Sequence, residues 1–267
     1  MLAAAPLRSS RAPPWRCVPS RMHSTPAPSD ATCASRSSCR AVTTGGRARY
    51  PVVYLLHGLP ASSTAYRGAT FVAQALERSK RRAILVAPQG ASASQPDPEY
   101  LDRGPGRNWE TAIAQELPRY VDTHYRTIAT RRGRALVGLS AGGYGAVLLA
   151  LTHLDSFSVL ESWSGYFTPT DPSGTKVIPH TTSESAHTLI STLKADERRR
   201  PTFFAFYVGS EDTRFRAENE QLDRELTAAG VPHVFRIYPG AHEPSVWSAH
   251  AAEWLGLALD HLAVASP

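Results

Sequence analysis

Ser140 sits between two glycines in Gly138-Leu139-Ser140-Ala141-Gly142. A serine in that setting suits a strand that turns into a helix within a few residues. The turn forces a strained backbone, and small neighbours leave room for it. Such an elbow exposes the hydroxyl at a strand end, beside a helix N-terminus whose backbone N-H groups can hold a developing oxyanion. Ser140 is therefore the expected nucleophile.

A serine hydroxyl needs a base to take its proton and a third group to orient that base. On an elbow scaffold the order along the chain is serine, acid, histidine. The run Phe203-Phe204-Ala205-Phe206-Tyr207-Val208-Gly209-Ser210-Glu211-Asp212 offers an apolar strand, a turn glycine and two acids. Asp212 is the expected triad acid, with Glu211 in reserve. The next strand ends in Tyr238-Pro239-Gly240-Ala241-His242, where a Pro-Gly loop lets an imidazole reach over the sheet edge. His242 is the expected base. Of the other histidines, His57 precedes the serine, His153 and His250 fall in helix patterns, and His180 and His187 lie in a polar insertion.

Two donors must meet the oxyanion. One is the N-H of Ala141, directly after the nucleophile. The other is expected from Leu59, in the loop Leu56-His57-Gly58-Leu59-Pro60 where glycine permits a tight bend. Trp163, Tyr166 and Trp247 lie near predicted strand ends or beyond His242, and are possible substrate-binding aromatics or core residues.

The elements that must position these groups alternate from Tyr50 onward. Strands are expected over Val52–Leu56, Ala83–Ala87, Ala135–Leu139, Val159–Trp163, Phe203–Val208 and Val234–Tyr238. Helices are expected over Ala65–Glu77, Trp109–Tyr125, Gly143–Leu154, Phe215–Ala229 and Ser245–Ala263. This alternation predicts an α/β fold, with a mainly parallel central sheet and helices on both faces. Residues 89–107 and 167–201 are long polar stretches that follow strands. As loops they would lie over the carboxyl edge of the sheet, where open α/β folds bind ligands.

The 267 residues and their 42% hydrophobic content suit one sizeable domain over 49–267. Residues 1–48 form an Arg-, Ser- and Pro-rich head expected to be disordered. Up to Arg49 the chain carries eight arginines against the single acid Asp30, which accounts for the whole formal charge of +6. The remainder is near neutral and gives no overall electrostatic case for nucleic acid or an anionic membrane. No apolar run reaches transmembrane length. Met1–Pro6 is too short for a signal-peptide core, so cytoplasmic residence is the default expectation, with secretion following if the true start lies elsewhere. The head also has the composition of an organellar transit peptide. Cys17, Cys33 and Cys39 all lie in it, fit no zinc spacing and read as incidental thiols.

Taken together, Tyr50-Pro51-Val52-Val53-Tyr54-Leu55-Leu56-His57-Gly58, Gly138-Leu139-Ser140-Ala141-Gly142-Gly143, Gly209-Ser210-Glu211-Asp212 and Tyr238-Pro239-Gly240-Ala241-His242 resemble the esterase D or "putative esterase" family of α/β-hydrolases. That family includes feruloyl and acetyl-xylan esterases, enterochelin esterases, S-formylglutathione hydrolases and mycolyltransferases. The resemblance implies a serine carboxylic-ester hydrolase with no metal and no organic cofactor, acting on a small-molecule or saccharide-linked ester. It also favours Asp212 over Glu211, and Leu59 and Ala141 as oxyanion donors. It further implies antiparallel strands ahead of Tyr50, which residues 20–49 do not read as, so one sheet edge is expected to be open. An acyltransferase of the mycolyltransferase type and an inactive, truncated hydrolase-fold protein are the alternative expectations.

Overall fold

The computed structural model describes residues 47–61, 65–88, 99–105, 107–171, 176–197 and 199–264. The head with its three cysteines lies outside these residues, as does most of the expected 89–107 loop.

Six strands form one sheet: β1 (Val52–Leu56), β2 (Ile84–Val86), β3 (Arg134–Leu139), β4 (Val159–Trp163), β5 (Phe203–Gly209) and β6 (His233–Tyr238). All pairings are parallel and the spatial order is β2-β1-β3-β4-β5-β6. Every strand expected from the sequence is present, with ends shifted by a residue or so. Among the described residues no strand pairs with the outer side of β2.

The central strands read as unbroken apolar runs because both faces are covered. Val52, Tyr54, Leu56, Leu136, Leu160, Phe204 and Phe206 pack on one face, and Val53, Leu55, Val137, Val159, Trp163 and Tyr207 on the other. The second face is covered by α1 (Thr70–Ser79), which follows a 3-10 turn at Ala65–Ala69, and by the last helix, α7 (Pro244–Asp260). The first face is covered by α3 (Leu117–His124), α4 (Ala141–Thr152), α5 (Ala186–Glu197) and α6 (Arg216–Ala229). Helix α4 is buried from Ala141 through Leu151, which explains why its sequence is small and apolar on every side. Among the described residues no helix is long and apolar enough to cross a membrane.

Two departures from the sequence reading have physical causes. The expected helix 109–125 is a short α2 (Trp109–Thr111), a π-helical turn (Ala112–Glu116) and then α3. Pro118, in the first turn of α3, cannot donate and crowds the carbonyl four residues back, so the coil widens ahead of it and the Leu117 N-H reaches back to the Ala112 carbonyl. Within the insertion expected as a loop, α5 forms because Ala186, Leu189, Ile190 and Leu193 recur at helical spacing. All four pack against the first-face core.

Parallel register aligns the strand ends. Leu56 pairs with Gly138, Leu139 with Trp163, Trp163 with Tyr207 and Gly209 with Tyr238. The loops bearing Gly58, Ser140, Asp212 and His242 therefore emerge side by side along one edge.

Candidate active site

Ser140 occupies the sharp turn from β3 into α4 with φ 55° and ψ −122°. A non-glycine residue there stores strain on the order of 1–3 kcal/mol, which persists only where the surroundings over-determine it. They do so here. The Ser140 N-H donates to the Trp163 carbonyl at 3.0 Å, and the Ser140 carbonyl accepts from the N-H groups of Gly143 at 2.8 Å and Tyr144 at 3.2 Å. A side chain at Gly142 would meet the Leu56 carbonyl oxygen at 2.1 Å, so the helix enters against β1 only because that position has none.

The acid and histidine turns are tied to each other. Ser210 N-H donates to the Tyr238 carbonyl at 2.7 Å and Glu211 N-H to the Gly240 carbonyl at 2.8 Å. Gly240, at φ 117°, supplies the left-handed step that turns the chain towards His242. Asp212 is buried with its side chain fully enclosed, and Oδ1 accepts the N-H groups of Arg214 and Phe215 at 3.2 Å each. Its Oδ2 lies 2.7 Å from His242 Nδ1, and His242 Nε2 lies 2.9 Å from Ser140 Oγ. The network is consistent with Nδ1-H donating to the carboxylate and Nε2 accepting the serine proton. The fold thus brings Ser140, His242 and Asp212 together, while Glu211 is exposed on the same turn.

Leu59 and Ala141 share one small apolar cluster with Leu101, Tyr144, Leu148, Tyr166 and Phe215. Three of its members begin a chain of rings. Tyr144 and Tyr166 lie 5.2 Å apart, Tyr166 and Phe215 5.1 Å, Phe215 and His242 5.1 Å, and His242 and Trp247 5.1 Å. Trp247 is half-buried edge-on to the imidazole. Tyr166 is buried and its hydroxyl donates to Glu99 Oε1 at 2.7 Å. Of the two roles the sequence leaves open for Trp163, its burial is that of a core residue. Its ring is fully buried on the face under α7, with Nε1 donating to Glu161 Oε2 at 3.1 Å, so it presents no surface to a ligand.

Two groups escaped the sequence reading. Buried Tyr100, at φ 58°, donates its hydroxyl to the His57 carbonyl at 2.7 Å and so holds the loop that bears Gly58 and Leu59. Burial pushes its phenol far above the ordinary range, which keeps it a neutral donor. Buried Asn219 donates from Nδ2 to the carbonyls of Gly165 at 2.8 Å and Phe215 at 2.9 Å, tying the end of β4 to the turn that follows Asp212. Asn219 shares the buried stripe of α6 with Leu222 and Leu226. A polar residue in phase with an apolar stripe was the available signal.

A parallel six-stranded sheet with helices on both faces and a serine elbow at a strand end defines an α/β-hydrolase fold. The chain belongs to the esterase family described as "Putative esterase", whose model matches residues 44–255. Over 126 residues, 46% of this chain, it is 38% identical to "Esterase Rv1288" of Mycobacterium tuberculosis, covering 26% of that protein. Over 140 residues, 50% of this chain, it is 32% identical to "Diacylglycerol acyltransferase/mycolyltransferase Ag85A" of Mycobacterium leprae, covering 41% of it. The chain thus spans less than half the length of these curated relatives. A solved ferulic acid esterase superposes with a TM-score of 0.67 at 24% identity, covering 80% of this chain and 86% of that one, a likeness of fold.

Proposed function

We propose that this chain is a serine carboxylic-ester hydrolase working through a covalent acyl-enzyme. The observation that carries the reading is the continuous hydrogen-bonded run from Ser140 Oγ through His242 to buried Asp212. Ser140 Oγ attacks the ester carbonyl carbon as His242 Nε2 takes its proton, and the carbonyl π electrons move onto oxygen. The N-H groups of Leu59 and Ala141 receive that oxyanion; one such donor is worth about 3 kcal/mol. Collapse expels the alcohol, which leaves with the proton from His242. Water then adds to the acyl-enzyme, losing a proton to the same imidazole, and the carboxylic acid departs as Ser140 recovers its hydrogen. Asp212 holds the imidazole in the tautomer both halves require. The substrate is a small-molecule or saccharide-linked ester, and no step calls for a metal or organic cofactor.

Interception of the acyl-enzyme by a sugar hydroxyl instead of water is the second reading, favoured by the relatives named as mycolyltransferases. Purified protein should label stoichiometrically at Ser140 with a fluorophosphonate and release p-nitrophenol from short p-nitrophenyl esters, and Ser140→Ala should lose both. Equal turnover by wild type and variant overturns the assignment, and absent labelling leaves an inactive hydrolase-fold protein. New esters on added trehalose would move the conclusion to acyl transfer.

A further inference from the structure

Tyr100 takes no part in the proton transfers of the proposed reaction, yet the fold holds it in a conformation that side chains rarely adopt. Glu99 at φ 42° and Tyr100 at φ 58° are consecutive non-glycine residues in the left-handed region. Strained backbone of this kind persists only where its contacts over-determine it, and it gathers at functional sites. The contacts at Glu99 are with the chain that follows β4. Its buried carboxylate accepts, on Oε1, the Tyr166 hydroxyl at 2.7 Å and the Thr170 N-H at 2.9 Å.

The contacts at Tyr100 lead to both elements that carry the proposed oxyanion donors. A side chain on Gly145 would meet Tyr100 Cδ2 at 2.4 Å and Cγ at 2.7 Å, so the ring lies against the backbone of α4 one turn on from Ala141. At the other end of the ring the hydroxyl donates to the His57 carbonyl at 2.7 Å, two residues ahead of Leu59. A tyrosine side chain turns about two bonds only, and its ring is rigid. The length of the phenol therefore fixes how far the His57 carbonyl stands from α4.

We propose that Tyr100 is a positioning residue, a strut of fixed length that sets the separation of the two oxyanion donors, Leu59 on the loop after β1 and Ala141 at the start of α4. This role rests on the reading of the chain as a serine esterase. Donors stabilise the developing oxyanion when they lie about 2.7–3.1 Å from where it forms, not from the ground-state carbonyl oxygen. A change in their separation therefore slows the chemical step and leaves binding of the ester little altered. Thr127 supplies a contrast. It is also buried, and its hydroxyl donates to Asp122 Oδ1 at 2.6 Å, but it lies ahead of β3, at the sheet edge opposite Ser140.

Tyr100→Phe and Thr127→Val each delete one buried hydroxyl and keep the shape of the side chain, so far-UV dichroism should show both folded. A donor displaced by a fraction of an ångström costs less than the 10²-fold or more of a donor removed. With p-nitrophenyl acetate, Tyr100→Phe should therefore lose about tenfold in kcat with KM within about threefold, and Thr127→Val should stay within about twofold of wild type in both. The thiono analogue of the same ester reads the oxyanion site directly. Sulfur is larger and a poorer acceptor than oxygen, so wild type should prefer the ester, and that preference should shrink about tenfold in Tyr100→Phe alone. Amide exchange over residues 57–59 should quicken in the same variant. Wild-type kcat in Tyr100→Phe, an equal loss in Thr127→Val, or an unchanged preference for the ester would each overturn the strut, while labelling of Ser140 by a fluorophosphonate keeps the esterase standing. Wild-type protein that neither labels nor turns over the ester would overturn both.

Discussion

A side chain on Gly58 would bring its Cβ to 2.9 Å from Ser140 Cβ, with the Leu139 carbonyl oxygen at 3.1 Å. The loop proposed to carry one oxyanion donor therefore packs directly on the proposed nucleophile. Gly58→Ala must push one away from the other, and a displacement of about 1 Å at a reacting centre costs on the order of 10²-fold. The variant should lose about that much in kcat for p-nitrophenyl acetate, with a melting temperature within a few degrees of wild type. Wild-type turnover would place the oxyanion donors elsewhere.

Asp212 and Glu211 are sequence neighbours with opposite environments, one enclosed beneath His242 and one exposed. Asp212→Asn preserves shape but removes the charge that orients the Nδ1-H tautomer, so kcat should fall about 10⁴-fold. Glu211→Gln should stay within threefold of wild type. Pre-steady-state acylation with a chromogenic ester separates the two, and a larger loss in Glu211→Gln would reverse their roles.

The positions of the strands along the chain and the turns bearing Ser140, Asp212 and His242 were readable because each is a local pattern, an apolar run followed within a few residues by glycine and a polar residue. What was not readable depends on distant packing. Which of Glu211 and Asp212 turns inward follows from backbone hydrogen bonds to the Gly240 loop. The burial of Trp163 follows from α7 crossing beneath β4. Helix α5 was hidden by a polar average over 167–201, although the spacing of Ala186, Leu189, Ile190 and Leu193 carried it.

Helix α5 is pinned to α6 by His187, whose Nδ1 lies 2.5 Å from Glu225 Oε2 and Nε2 3.4 Å from Glu218 Oε1. Burial opposes the charged ring, but the two carboxylates outweigh it and raise the imidazole above its ordinary 6.5. A raised folded-state pKa contributes stability that is fully present below the unfolded value and is lost as pH rises through the folded one. His187→Gln should therefore cost about 2 kcal/mol at pH 5, and the gap to wild type should shrink as the medium turns alkaline. Urea melts at pH 5, 7 and 9 test this, and a gap that widens with pH would contradict it.

Glu161 points from β4 into the face under α7, wholly buried, with Oε2 accepting from Trp163 Nε1 at 3.1 Å and Oε1 without a partner among the described residues. Burial raises its carboxyl well above the usual range, against a smaller opposing pull from the indole N-H. The folded chain then keeps a proton that the unfolded chain releases above pH 4.5. Native protein binds more protons in that window, so stability falls as pH rises, with a slope approaching about 1.4 kcal/mol per unit. Glu161→Gln keeps the shape without a titrating proton, so it should be close to wild type at pH 4.5 and gain stability relative to wild type as pH rises above that value. Guanidinium melts at rising pH would show the two curves diverging, whereas parallel curves would mean that Glu161 is ionised in the fold.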